Sequence, residues 1–174
     1  ASMGERSSGL EAFRARREAR IAALRHELKS RFTLPCPIVL ELGCGHGHFL
    51  TEFARAHPEQ PCLGIDVLSR RIRLADRKRE KAGLERLHFL KAEARELLVA
   101  LPEGLRLERI FMLFPDPWPK KRHHKKRMVQ ADFLAMLAAA APSPATFHFR
   151  SDHEDNFLHA LSVVAASPDW EVED

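Results

Sequence analysis

Apolar positions along this 174-residue chain follow two spacings in turn. Residues 10–31 repeat at helical intervals, with Leu10, Phe13, Ile21, Leu24 and Leu28 on one face, which predicts a helix. From residue 37 short apolar runs alternate with helical stretches. Ile38–Leu42 reads as a buried strand that stops at Gly43, and Gly47–Ala56 as a helix. Cys62–Asp66 reads as a strand and Ser69–Ala82 as a helix with Ser69 at its N-cap. Leu87–Lys91 and Arg109–Phe114 are predicted strands, with a helix over Ala94–Leu101 between them. A proline-rich loop then leads into a helix over about Lys125–Ala141. Ala145–Arg150 is a fifth strand, Glu154–Ala166 a helix, and Trp170–Glu173 is expected to begin a sixth strand. This alternation implies an α/β fold with a doubly wound, mostly parallel sheet. Residues 1–34 form a basic helical extension, and residues 35–174 form the sheet domain. Ligands of such sheets sit at the carboxyl ends of the strands.

Charge changes the picture by its distribution. The chain is 45% hydrophobic and 30% charged, as a globular protein is, with net charge +4. Residues 151–174 carry seven acids and no Lys or Arg, so the first 150 residues hold all 28 bases against 17 acids. A basic body suggests a polyanionic partner, nucleic acid or an anionic membrane. No apolar run reaches the roughly 20 residues of a membrane span. The first thirty residues are charged throughout, which argues against a signal peptide. Three cysteines (Cys36, Cys44, Cys62) without a C-x-x-C pair argue against a disulfide framework or a cysteine zinc site, so a cytoplasmic location with no metal and no membrane is expected. The arginine face of the first helix (Arg14, Arg16, Arg17, Arg20, Arg25) is either a solvated surface or an arm on an RNA backbone.

The strand ends carry the chemistry. After the first strand comes Gly43-Cys-Gly45-His-Gly47, whose glycines permit positive φ and close backbone approach. Glu41, two residues earlier, is awkward for a pyrophosphate, and the spacing is not that of a dinucleotide loop. A ligand with an ammonium group fits better. Asp66 ends the second strand, where a carboxylate can take both ribose hydroxyls, or else pair with Arg70 or Arg71. Glu93 follows the third strand and could take an adenine amine, or simply favour the dipole of the next helix. Glu41, Asp66 and Glu93 together suggest an amine, a ribose and an adenine. This set resembles that of the class I S-adenosylmethionine-dependent methyltransferases.

The fourth strand end reads Phe114-Pro-Asp116-Pro-Trp118-Pro-Lys120-Lys-Arg122-His123-His-Lys-Lys126-Arg127. Two prolines restrict the backbone around Asp116. A carboxylate beside the Trp118 plate suits a nucleobase, since base–aromatic stacking contributes about 1–3 kcal/mol. Lys120–Arg127 holds six Lys/Arg and no acid, and without it 22 bases would face 24 acids. Such a strip attracts phosphates by counterion release, unless it is only a solvated loop. At the fifth strand end stand Ser151 and Asp152, as substrate contacts or as a helix cap.

The Phe-Pro-Asp-Pro-Trp-x-Lys-x-Arg-His-x-x-Lys-Arg segment resembles the signature of the bacterial tRNA (guanine-N7-)-methyltransferases. The resemblance covers roughly residues 37–166 and implies the class I methyltransferase fold. Its last strands are expected to be missing or incomplete, and the family's Thr-x-Phe-Glu segment is not found. By that resemblance S-adenosyl-L-methionine would be held by Glu41, Gly43, Gly45, Gly47, Asp66, Glu93 and Asp116, the last being also the cofactor-adjacent catalytic aspartate. Lys120 and Asp152 would contact the tRNA, and Arg122, His123, Lys126 and Arg127 would lie in its RNA-interaction stretch. The implied reaction is methylation of N7 of a guanosine in tRNA, the variable-loop guanosine 46. The alternatives are another nucleobase or amino methyltransferase acting on RNA, a non-catalytic RNA-binding relic of the fold and, more remotely, a nicotinamide oxidoreductase, which Glu41 and the glycine spacing disfavour.

Overall fold

A computed structural model describes residues 3–142 and 144–173. The element order is α1 (Met3–Arg31), β1 (Cys36–Leu42), α2 (His48–Ala56), β2 (Cys62–Asp66), α3 (Ser69–Ala82), β3 (Leu87–Lys91), α4 (Ala94–Ala100), β4 (Leu105–Leu113), α5 (Ala131–Ala140), β5 (Thr146–Arg150) and α6 (Glu154–Ala165). A 3-10 turn over Lys121–Lys126 stands between β4 and α5. All strand pairings are parallel, in the order β3-β2-β1-β4-β5. The order reverses between β1 and β4, so a crevice opens at the carboxyl end of β1.

Two apolar layers enclose the sheet. One packs Leu50 and Ala54 of α2 and Ala75 of α3 against Val39, Leu87 and Phe89. The other packs Ile21 and Leu28 of α1, Leu97 of α4, Phe133 and Leu137 of α5 and Ala160 of α6 against the opposite sheet face. β2 is buried along its whole length, as a two-sided parallel strand must be. Helix α1 docks through its second half only: Arg20 pairs with Glu96 and Arg25 donates to the carbonyls of Val99 and Ala100 at the end of α4. Leu10 and Phe13, expected on the buried face, are exposed. The helix reaches past the body there, so the periodicity finds no partner.

Four further expectations are corrected. The N-cap of α3 is Leu68, not Ser69, and the Leu68 N–H donates to Asp66. β4 starts at Leu105, because Leu105 and Leu107 alternate inward with Arg106 and Glu108 outward. The helix expected from Lys125 begins at Ala131, since the basic residues form the 3-10 turn and Gln130 is extended. No strand forms over Trp170–Glu173.

Candidate active site

The glycine loop is built by three left-handed backbones, Gly43 (φ 75°), Gly45 (φ 55°) and Gly47 (φ 77°). Their reasons differ. A Cβ at Gly43 or Gly45 would meet nothing within 4 Å, so both leave the backbone open to a ligand. A Cβ at Gly47 would lie 2.8 Å from Ala75 Cβ and from Phe89 Cζ, so Gly47 is a packing position. Gly64, unremarked in the sequence, has the same role: its Cβ would lie 2.7 Å from the Phe89 ring.

Glu41 sits on β1 between Gly64 of β2 and Phe111 of β4 and is only 3% exposed. Its Oε1 is buried without a hydrogen-bond partner among the described residues. Burial, with Asp66 nearby, pushes its carboxyl up to about 8. A buried acid with an unmet acceptor is costly unless a donor, best a cation, arrives. Thr51 in the first turn of α2 has a second orphaned buried oxygen, Oγ1. Nothing in the spacing marked it. Asp66, 5% exposed, accepts from Gly45 N at 3.1 Å and Leu68 N at 3.0 Å, with Arg71 at 3.5 Å. It ties the glycine loop to the entry of α3. The Arg71 pairing foreseen as an alternative is present, but long. Glu93 caps α4, with Oε1 taking Arg95 N and Oε2 taking Glu96 N, so its helix-stabilising role is real.

Asp116 is exposed, and its Oδ1 accepts from Trp118 N at 2.9 Å. Phe114 (φ 56°) and Trp118 (φ 44°) on either side hold left-handed backbones without being glycine. Such strain persists where surrounding structure imposes it, and it gathers at functional sites. Lys126 Nζ lies 4.7 Å from the centre of the Trp118 ring, and His123 meets that ring edge-on at 5.6 Å. Lys120, Arg122 and Lys126 are exposed and His123 is half-buried, with Arg122 Nε donating to His123 Nε2.

Arg127 is different from its neighbours. At 2% exposure it is not a surface group, so it is not available to an RNA backbone as expected. Its guanidinium donates to Pro117 O at 2.8 Å, to Trp118 O at 3.5 Å and to Asp155 Oδ2 at 2.6 Å. It holds the proline loop to α6 from beneath. Gln130 adds bonds to the carbonyls of His124 and Arg127. Arg127 holds the Asp155 carboxyl below the usual range. No local spacing pointed to this pair, because its members lie 28 residues apart.

Asp152 is exposed and has no protein partner among the described residues. Leu113 and Arg150 pair in register, so Asp116 and Asp152 follow adjacent strand ends. Capping of α6 falls to His153, whose Nδ1 accepts from Asn156 N, while Ser151 bonds His153. In strand order the carboxyl edge thus carries Glu93, Asp66, Glu41, Asp116 and Asp152. Among the described residues no group of three or more His, Cys, Asp or Glu is placed to hold a metal ion. No helix among them is long and apolar enough to cross a membrane.

A family model described as "Putative methyltransferase" matches residues 35–174. The tRNA (guanine-N(7)-)-methyltransferase of Alkalilimnicola ehrlichii is 38% identical over 146 residues, 83% of this chain and 61% of that protein. That of Nitrosomonas eutropha is 36% identical over 140 residues, 80% of this chain and 62% of its own length. The chain therefore spans about three fifths of the curated relatives it matches. Among solved structures, TrmN from Thermus thermophilus shares the fold with a TM-score of 0.57, at 23% identity, over 80% of this chain and 40% of that one.

Proposed function

The chain belongs to this methyltransferase family, and from that footing we propose that it transfers a methyl group from S-adenosylmethionine to N7 of a guanosine in tRNA. The observation that carries the reading is the buried Glu41 carboxyl with its unpartnered Oε1, one strand from the strained Asp116 loop. When bound, the cofactor supplies an electrophilic methyl on a sulfonium. Glu41 would accept a hydrogen bond from the ammonium of its amino-acid end as a carboxylate, its own proton passing to solvent. The open backbone at Gly43 and Gly45 allows close approach. Asp66 keeps lone pairs for ribose hydroxyls, and Glu93 for an adenine amine. Exposed Val67 and Leu68 offer apolar contact to the base.

Guanine N7 carries a lone pair and no proton, so the reaction requires no strong base. Asp116 Oδ1 is engaged by Trp118 N, and its other oxygen is left for guanine N–H groups. The carboxylate holds the base in line and offsets the positive charge that develops on the ring. Asp152 adds a second acceptor on the neighbouring strand end. Lys120, Lys121, Arg122, Lys125 and Lys126 face solvent and attract the RNA backbone. Choice of the variable-loop guanosine and a cytoplasmic site of action belong to the same reading. The relatives' names support tRNA as the substrate.

The test is incubation with labelled S-adenosylmethionine and unmodified tRNA, then mass spectrometry of the nucleosides. 7-Methylguanosine is the expected product. Label on another base or on an exocyclic amine would replace the reading with a different methyltransferase. tRNA binding with no affinity for S-adenosylmethionine would make the chain a non-catalytic RNA-binding module.

A further inference from the structure

Helix α3 carries seven Lys/Arg (Arg70, Arg71, Arg73, Arg77, Lys78, Arg79, Lys81) and two acids, Asp76 and Glu80. The structure divides them by task. Arg71 reaches Asp66 at 3.5 Å, and Lys78 donates to His46 O at 3.0 Å beside the His48 ring, so these two brace the glycine loop. Arg79 pairs with both acids of the helix, Asp76 at 2.7 Å and Glu80 at 3.6 Å. Arg70, Arg73, Arg77 and Lys81 remain. All four are exposed, and none has a protein partner among the described residues. At 3.6 residues per turn they fall within about 80° of arc and run about 17 Å along the helix.

This stripe does not serve the helix. Like charges at Arg73, Arg77 and Lys81 are spaced four apart, which destabilises a helix. Arg70 and Arg71 stand in the first turn, where the macrodipole favours acids, and no acid is there. The N-cap, Leu68, has no side-chain bond to offer. A local choice that opposes stability points to a task elsewhere.

The position of the stripe indicates the partner. α3 follows β2, on one side of β1, and the Lys120–Lys126 segment follows β4, on the other. Because β2 and β3 are parallel, α3 leaves the carboxyl edge of the sheet and returns to its amino edge, so Arg70 starts the stripe at the crevice that opens at β1 and Lys81 ends it away from there. A ligand that reaches both basic surfaces must be an extended polyanion. A membrane surface would call for bulky apolar side chains on the same face. The apolar neighbour on this face, Leu74, is half-buried.

We propose that Arg70, Arg73, Arg77 and Lys81 on the outer face of α3 form a second contact for the phosphate backbone of RNA, which starts across the crevice from Lys120–Lys126 and leads away from it along the helix. The inference rests on the tRNA reading above and adds a surface to it. The experiment measures tRNA binding by the full chain and by Arg73→Gln/Arg77→Gln/Lys81→Gln across a salt series. The triple variant is expected to bind about tenfold or more weakly near 0.1 M salt, with a salt slope lower by about two to three. Each single variant lowers the slope by about one, so the count does not depend on the triple variant folding. Arg73→Lys/Arg77→Lys keeps the original slope. Calorimetric affinity for S-adenosylmethionine stays the same throughout. An unchanged slope in every Gln variant, with tRNA still methylated, overturns the stripe and leaves the proposed function standing. Failure of the unsubstituted chain to bind or methylate tRNA overturns both. Stripe-dependent binding to phosphatidylserine vesicles, with an unchanged tRNA slope, overturns it in favour of a membrane surface.

Discussion

Glu41 lies on β1 and Asp116 in the loop that follows the adjacent β4, and the protein prepares these acids in opposite ways. Glu41 is sunk in the sheet, stripped of water and short of a partner, so its carboxyl is held near 8. Asp116 stands in the open, and what is fixed there is the backbone: two prolines, two left-handed residues and an N–H from Trp118. Desolvation makes the first acid avid for a cation but unable to discriminate by shape. Backbone restraint gives the second a direction at little electrostatic cost. A small charged ligand suits the first device, and a flat base suits the second.

The largest test of this contrast is Glu41→Gln. Loss of a charge-assisted bond predicts a tenfold to hundredfold drop in S-adenosylmethionine affinity. Stability should also lose a pH slope. The folded carboxyl titrates near 8 and the unfolded near 4.5. The folded state therefore favours the proton. Its contribution is full below about 4.5, falls as pH rises towards 8, and is level above. Thermal melts of the unsubstituted chain should show that decline, worth a few kcal/mol, and Glu41→Gln should lack it. Parallel curves would break the buried-acid account.

Asp116→Asn comes next. Asn keeps the acceptor for Trp118 N and loses the charge, so kcat should fall roughly tenfold to hundredfold with cofactor affinity unchanged. Full turnover would show that direction alone suffices. Arg127→Ala should cost about 2 kcal/mol by leaving Pro117 O unpaired and a void under the loop, a fall in Tm of roughly 4–8 °C. A stable variant that keeps its tRNA affinity would mean the loop holds itself. The smallest effect is Lys120→Ala, a salt slope lower by about one with stability within about 0.5 kcal/mol.

Much of the sheet side was legible. β2, β3 and α3 match the expected bounds to the residue, because buried parallel strands read as apolar runs between turn signals. The place of the acids at the carboxyl edge was legible, since each ends or closely follows an apolar run. The loop side was less so. A basic residue inside a basic run gives no hint that it is the one turned inward, and Arg127 was grouped with its exposed neighbours. Its partner Asp155 stands in the first turn of α6, where an acid already suits the helix dipole. Glu93 illustrates the converse: of its two foreseen roles, the structure shows the one that favours the helix. Leu10 and Phe13 show the limit of periodicity, which marks an apolar face but not whether anything covers it.

Phe89 links the glycine loop to the history open to this sequence. Its ring fills the space that side chains on both Gly47 and Gly64 would need. The three positions therefore change as a unit. Alanine at either glycine is closed to single-step drift while Phe89 stands. Once Phe89 shrinks to a side chain without δ atoms, such as valine, the same change at Gly64 becomes accessible, since the other close contact there, with Cys44 Cβ at 3.0 Å, is looser. Gly47 is held twice, by Phe89 and by Ala75, so it should be the last of the three to move. Strong epistasis is thus expected between a loop and a strand residue more than forty positions apart, with no ligand involved.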